Sequence, residues 1–186
     1  TASCNTAVGS NALLANTTGA DNTVVGAAAM STNTTGQDNV AMGKSALLLN
    51  TEGASNTALG ISSLCNNTTG TCNTAVGHTA LNKNTTASCN TAVGSRSLYS
   101  TTSGEDNTAV GNYALCKNTT GECNVAVGVM ALQLNTTAEC NTAVGMTSLS
   151  ANIGGDNNVA VGINALALNT TASNNTAVGM EALKLN

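Results

Sequence analysis

Residues Asn5–Asp21 read Asn-Thr-Ala-Val-Gly-Ser-Asn-Ala-Leu-Leu-Ala-Asn-Thr-Thr-Gly-Ala-Asp, and this unit recurs along the whole chain. Its first glycine returns every 17 residues without an insertion, at Gly9, Gly26, Gly43, Gly60, Gly77, Gly94, Gly111, Gly128, Gly145, Gly162 and Gly179. A short, fixed period is typical of a solenoid, in which each unit buries its apolar side against the next unit. The sequence therefore predicts a rod built from stacked coils.

The composition of the chain supports stacked β-coils. Only 8% of the 186 residues are charged and 1% are aromatic, whereas a globular domain has about 25% charged residues. Equivalent side chains in stacked β-coils lie about 4.8 Å apart. At that spacing like charges repel, whereas Asn and Thr columns form hydrogen bonds along the stack. The strict period of the aliphatic positions excludes a disordered chain.

Several classes of function are not expected from this composition. The formal net charge is −4, with five basic residues and two tyrosines, so we expect no nucleic-acid partner. No apolar run approaches the roughly 20 residues of a membrane span. The single histidine, His78, has no recognisable Ser or Asp partners for a catalytic triad. We therefore expect no enzyme, no catalytic residues and no cofactor-binding residues.

We predict an all-β fold, a parallel β-solenoid or β-roll of eleven 17-residue coils with two short strands per coil. Residues 6–8 form the first strand, which Gly9 ends, and residues 12–15 form the second. Turn-forming residues occupy positions 16–19. In this prediction Val8 and Leu13 meet in a thin core, and the small columns of Ala7 and Ala12, if they face outward, provide flat surfaces for lateral packing.

The domain prediction is one solenoid array over residues 1–186. Neither end of the chain resembles the polar caps that solenoids usually carry. We therefore expect the chain to be a segment of a longer repetitive protein, or to stack end to end on other copies.

Two asparagine columns run through the repeats. The first predicts a structural ladder of side-chain hydrogen bonds, formed by Asn5, Asn22, Asn39, Asn56, Asn73, Asn90, Asn107, Asn124, Asn141, Asn158 and Asn175. The second begins at Asn16 and is interrupted once, at Thr101. It predicts either another ladder or N-glycosylation, because Asn-Thr-Thr sequons occur at Asn16, Asn33, Asn67, Asn84, Asn118, Asn135 and Asn169.

The seven cysteines fall in two columns, Cys4, Cys72, Cys89, Cys123 and Cys140 in one, and Cys65 and Cys116 in the other. The set 65, 72, 89 recurs 51 residues later, which is three coils. Two disulfide patterns remain open, Cys65–Cys72 with Cys116–Cys123 or Cys72–Cys89 with Cys123–Cys140. Cys4 would be unpaired or pair between chains. Free, buried thiols are the third alternative.

One turn column carries four carboxylates on successive coils, Glu105, Glu122, Glu139 and Asp156. Stacking would align them along one edge, where closely spaced oxygens suit Ca²⁺ or another hard cation. The alternative is a row of solvated turn residues. Ca²⁺ is the one bound ion that the sequence suggests.

The phrase Asn-Thr-Ala-Val-Gly-x-x-Ala-Leu, as in Asn73–Leu81, resembles the head repeats of trimeric autotransporter adhesins of the YadA type. It is also similar to repeats of phage tail-fibre-like and bacterial surface proteins. The resemblance covers the whole chain and implies left-handed coils, frequent trimers, an extracellular location and no enzymatic activity. The present chain has a longer period and contains cysteines.

These observations favour a structural component of an extracellular fibre, surface appendage or adhesin, located outside the cell or on a cell or virion surface. Its main partner is then another copy of itself, as a homo-oligomer or filament. The alternative is a binding module, in which a repetitive Thr/Asn face recognises a surface glycan or, less favoured, ice.

Overall fold

The computed structural model describes residues 2–186 and has one short strand in each of eleven coils. The strands are β1 (Thr6–Val8), β2 (Thr23–Val25), β3 (Val40–Met42), β4 (Thr57–Leu59), β5 (Thr74–Val76), β6 (Thr91–Val93), β7 (Thr108–Val110), β8 (Val125–Val127), β9 (Thr142–Val144), β10 (Val159–Val161) and β11 (Thr176–Val178). They form a single parallel sheet in chain order. The predicted all-β parallel β-solenoid with a 17-residue spacing is confirmed.

Neighbouring coils are in register throughout the sheet. Thr74 pairs with Thr91 and Ala75 with Ala92, so equivalent residues of successive repeats lie side by side. Each coil also bonds to its neighbour outside the strand, as where the backbone N–H of Leu81 donates to the carbonyl of Ser97 at 3.0 Å. The repeat thus converts sequence columns into physical columns along the rod.

The core uses different residues from those expected. The middle residue of the strand points inward, so that Ala75 and its equivalents from β2 to β10 are 0% exposed, while Val144 and Val161 at the third position are 37% and 36% exposed. The columns of Ala12 and Leu13 complete the core. The prediction that Val8 meets Leu13 inside was wrong, as was an outward position for the Ala7 and Ala12 columns.

The second segment of each coil, at residues 12–15 of the first repeat, is not a β-strand, so the prediction of two strands per coil was wrong in this detail. It still bonds to the next coil, since the N–H of Leu13 donates to the carbonyl of Ala29 at 3.1 Å. However, φ is positive at Asn11 and Leu13 and at the equivalent residues of every coil. Left-handed residues turn the chain away from the extended form, and here they direct leucine into the core.

The glycine that follows each strand is required by its backbone. Gly94 has φ +130°, and a Cβ placed on it would lie 2.6 Å from the carbonyl oxygen of Gly111 in the next coil. A side chain would therefore clash with the neighbouring backbone and strain its own. This close approach keeps the coils evenly stacked at the corner.

Candidate functional site

The first asparagine column forms a buried ladder, as predicted. The N–H of Asn73 donates to Oδ1 of Asn56 at 2.9 Å, and its own Oδ1 accepts the N–H of Asn90 at 3.0 Å. Its Nδ2 donates to the carbonyl of Ala87 at 2.8 Å. Through its backbone N–H and its side chain, Asn73 thus joins three coils, and the ladder satisfies backbone groups that would otherwise be buried without partners.

The second asparagine column is also a buried ladder, with one gap. Nδ2 of Asn84 donates to Oδ1 of Asn67 at 2.7 Å and to the carbonyl of Ala87 at 3.0 Å. At the next coil Thr101 replaces asparagine. Its Oγ1 and the Oδ1 of Asn84 are buried without any hydrogen-bond partner. Beyond the gap, Nδ2 of Asn118 donates only to the carbonyl of Gly121, whereas its Oδ1 accepts Nδ2 of Asn135. The ladder is therefore broken in the middle of the rod, between Asn84 and Asn118.

The seven sequon asparagines belong to this second ladder, and six of them are 0% exposed. Their Nδ2 atoms, to which a glycan would be attached, are hydrogen-bonded inside the coil, as in Asn33 and Asn135. The folded coil does not accommodate a glycan at these buried nitrogens. The structure therefore shows this asparagine column as a buried, hydrogen-bonded ladder and not as a glycosylated surface.

The seven cysteines are free thiols, so the structure contains neither predicted disulfide pattern within residues 2–186. Cys72 and Cys89 lie close enough for their side chains to hydrogen-bond, and so do Cys123 and Cys140. Desolvation, followed by the Asp106 carboxylate, raises the pKa of the Cys89 thiol. A raised pKa lowers the thiolate fraction and hence the reactivity of a thiol at neutral pH.

The carboxylate column does not converge on a point. Glu105, Glu122 and Glu139 are exposed, and Oδ1 of Asp156 accepts the backbone N–H of Glu139 at 2.9 Å. In the part of the chain that the structure describes, no group of three or more His, Cys, Asp or Glu side chains could hold a metal ion. The column therefore supplies no geometry for the suggested Ca²⁺ site.

Two threonine columns line the turn, and they differ in their hydrogen bonding. In the inner column the hydroxyl donates to the next coil, as from Oγ1 of Thr68 to the carbonyl of Thr85 at 3.0 Å. The outer column is exposed, and between residues 2 and 186 its hydroxyls make no hydrogen bond that the structure records. It comprises Thr18, Thr35, Thr69, Thr86, Thr120, Thr137 and Thr171.

The outer side of the sheet carries an exposed apolar surface towards the C-terminal end. The third strand residue and the residue two places after it are apolar on consecutive coils. We call this surface the apolar face, and it consists of Val127, Val129, Val144, Met146, Val161 and Ile163. Exposure of these six side chains ranges from 36% to 49%. A contiguous apolar surface on a protein marks an interaction site more often than scattered apolar residues do.

Both tyrosines and three of the five basic residues lie on three successive coils, and we call this group the basic edge. It consists of Lys83, Arg96, Tyr99, Tyr113 and Lys117. The Arg96 guanidinium lies 5.4 Å from the Tyr113 ring centroid, and its Nη1 donates to Tyr113 Oη at 2.8 Å. Lys83 Nζ lies 5.4 Å from the Tyr99 ring centroid. Sequence analysis missed this group, although its residues interrupt the repeat.

Comparison of the chain with protein-family models, with curated proteins and with solved structures gives no match. The fold itself defines the class, a tandem-repeat β-solenoid held by buried asparagine ladders. A fold of this kind suits a repetitive structural or binding role. Residues 2–186 contain no helix that is long and apolar enough to cross a membrane.

Proposed function

We propose that this chain is a structural, non-enzymatic rod segment of an extracellular fibre, surface appendage or adhesin, which assembles with copies of itself. The observation that carries the proposal is the repetition of the same contacts from coil to coil. Each step repeats the same register, the same glycine corner and the same backbone-to-side-chain bond of the first asparagine ladder. A surface that stacks on its own copy by translation generates an open filament, not a closed ring.

Lateral association uses the apolar face. Its columns have the same 17-residue repeat in every copy, so two parallel rods match column to column over several coils. Burial of apolar surface then drives association at roughly 25 cal/mol per Å² of area removed from water. The partner in this proposal is a second copy of the chain, as a homo-oligomer.

The test is electron microscopy of the native chain with sedimentation velocity, under reducing and non-reducing conditions. We expect filaments or laterally paired rods, with a repeat near 4.8 Å along the rod axis. We expect the double variant V144T/M146Q, which alters the apolar face, to reduce lateral pairing. The control is the double variant T120A/T137A, which alters the outer threonine column and should leave lateral pairing intact. Discrete single rods of about 50 Å at every concentration would contradict the proposal.

The second candidate function is binding of a neutral surface glycan, with ice as a less favoured ligand. The outer threonine column favours it, because its exposed hydroxyls are free and lie on pairs of neighbouring coils, such as Thr69 with Thr86 and Thr120 with Thr137. The asparagines of the predicted Thr/Asn face are buried and do not contribute. A glycan array and a thermal-hysteresis assay on native chain and T120A/T137A test it. Equal signals from both proteins would exclude the column as the site.

A further inference from the structure

The basic edge differs from the rest of the rod in charge. The chain carries a formal net charge of −4, yet Lys83, Arg96 and Lys117 cluster on coils five to seven. Within residues 2–186 the one salt bridge joins Lys184 to Glu181. The three clustered cations therefore have no carboxylate partner in the described structure and remain available to an external anion.

The electrostatics around the cysteines show that acidic and basic groups occupy separate edges. Burial raises the pKa of the Cys116 thiol, and Lys117, Arg96 and Lys83 each act to lower it. The charges that act on Cys123 are negative, from Asp106 and Glu122 beside the Cys140 thiol. The three cations thus lie on the side of these coils that contains Cys116. The carboxylates lie near the cysteine column that contains Cys123 and Cys140.

Two of the three cations are ordered by aromatic neighbours. Lys83 and Arg96 each lie over a tyrosine ring, and Arg96 also donates to the Tyr113 hydroxyl. The backbone beneath them is fixed by bonds between coils, such as that from the Lys83 N–H to the Tyr99 carbonyl at 3.1 Å. Binding by side chains that are already ordered loses less conformational entropy.

We propose that the basic edge is a binding site for an acidic polysaccharide that carries sulfate or carboxylate groups. Arginine matches the planar or tetrahedral oxygens of such groups with paired N–H donors. Lys83 and Lys117 share a column and stand two coils apart, roughly 9.6 Å at about 4.8 Å per coil. A linear polyanion laid along the rod therefore meets successive positive charges.

The surroundings favour a polysaccharide over a nucleic acid. Cations already lie over one face of each tyrosine ring, which leaves less aromatic surface for base stacking. The tyrosine hydroxyls, by contrast, suit hydrogen bonding to sugar hydroxyls. All residues of the basic edge belong to one copy of the protein, so binding at this site does not depend on the proposed assembly of rods.

The experiment measures binding of fluorescently labelled heparin, with hyaluronan as the carboxylate-only probe and dextran as the neutral control. We expect binding to both acidic polymers, weakened by salt, and none to dextran. The double variant K83Q/K117Q weakens heparin binding by about tenfold, since hydrogen bonds to charged groups are the stronger kind.

The matched control is K44Q/K184Q, which removes the same charge from the two basic residues outside the edge. It leaves heparin affinity within about twofold of the native chain, because long-range charge effects are screened by salt. Far-UV circular dichroism confirms that both doubles fold. Equal losses in the two doubles, or equal affinity for a single-stranded oligonucleotide and heparin, would overturn the proposal. V144T/M146Q retains heparin binding, which separates this site from assembly.

Discussion

Replacing Thr101 by asparagine should stabilise the rod, because it closes the gap in the second ladder. In the present structure Oδ1 of Asn84 and Oγ1 of Thr101 are buried without partners. An asparagine at this position would donate to Asn84, as Asn84 donates to Asn67 at 2.7 Å. It would also donate to the carbonyl of its own turn and accept Nδ2 of Asn118, as its counterparts do.

The size of the gain follows from the bonds formed. Satisfying one orphaned buried acceptor contributes about 1–3 kcal/mol, and each further neutral hydrogen bond about 1 kcal/mol. Allowing for repacking around a new side chain, we expect about 2–4 kcal/mol for Thr101→Asn. For a chain of this length, that corresponds to a rise of about 5–15 °C in the melting temperature. Circular dichroism during heating and urea titration measure both quantities.

Two further variants make the test specific to the ladder. Asn118→Thr opens a second gap beside the first and should lower stability by about the same 2–4 kcal/mol. Thr102→Asn changes the next residue, whose hydroxyl bonds to Thr119 at 3.3 Å, and should give no gain. A Thr101→Asn chain that melts at or below the native temperature would show that the ladder bonds do not control stability as argued.

Three other changes probe the coil, each followed by thermal melting. Asn73→Ala removes the acceptor of the buried Asn90 N–H and should cost about 3–5 kcal/mol; a loss below about 1 kcal/mol contradicts the ladder argument. Gly94→Ala should cost at least about 2 kcal/mol from backbone clash and strain, whereas Gly154→Ala, with open space around it, should be near neutral. Thr79→Asn should stabilise by about 1 kcal/mol, because Asn tolerates the positive φ of 54° better than a β-branched residue; destabilisation would refute this.

Much of the architecture could be predicted from the repeat alone. The first asparagine column is the same in every repeat, and the glycine column that begins at Gly9 follows it four residues later. These columns predict the contacts between coils, because a parallel stack places equivalent residues of successive repeats in line. Ladders and close backbone contacts require the same residue at every coil, so they leave a direct trace in the sequence. The glycosylation hypothesis arose from a local three-residue motif, and such a motif carries no information about burial.

The sequence by itself determined the 17-residue period, the parallel stack, the two asparagine columns and the corner glycine. Tertiary structure alone decided that the alanine of each strand faces inward and the valine outward, because a period of two specifies alternation but not its direction. It also decided that Leu13 has a left-handed backbone conformation, that Thr101 leaves Oδ1 of Asn84 without a partner, and that the residues of the basic edge lie together. These features depend on how each coil closes in space, and closure is a property of the whole 17-residue coil.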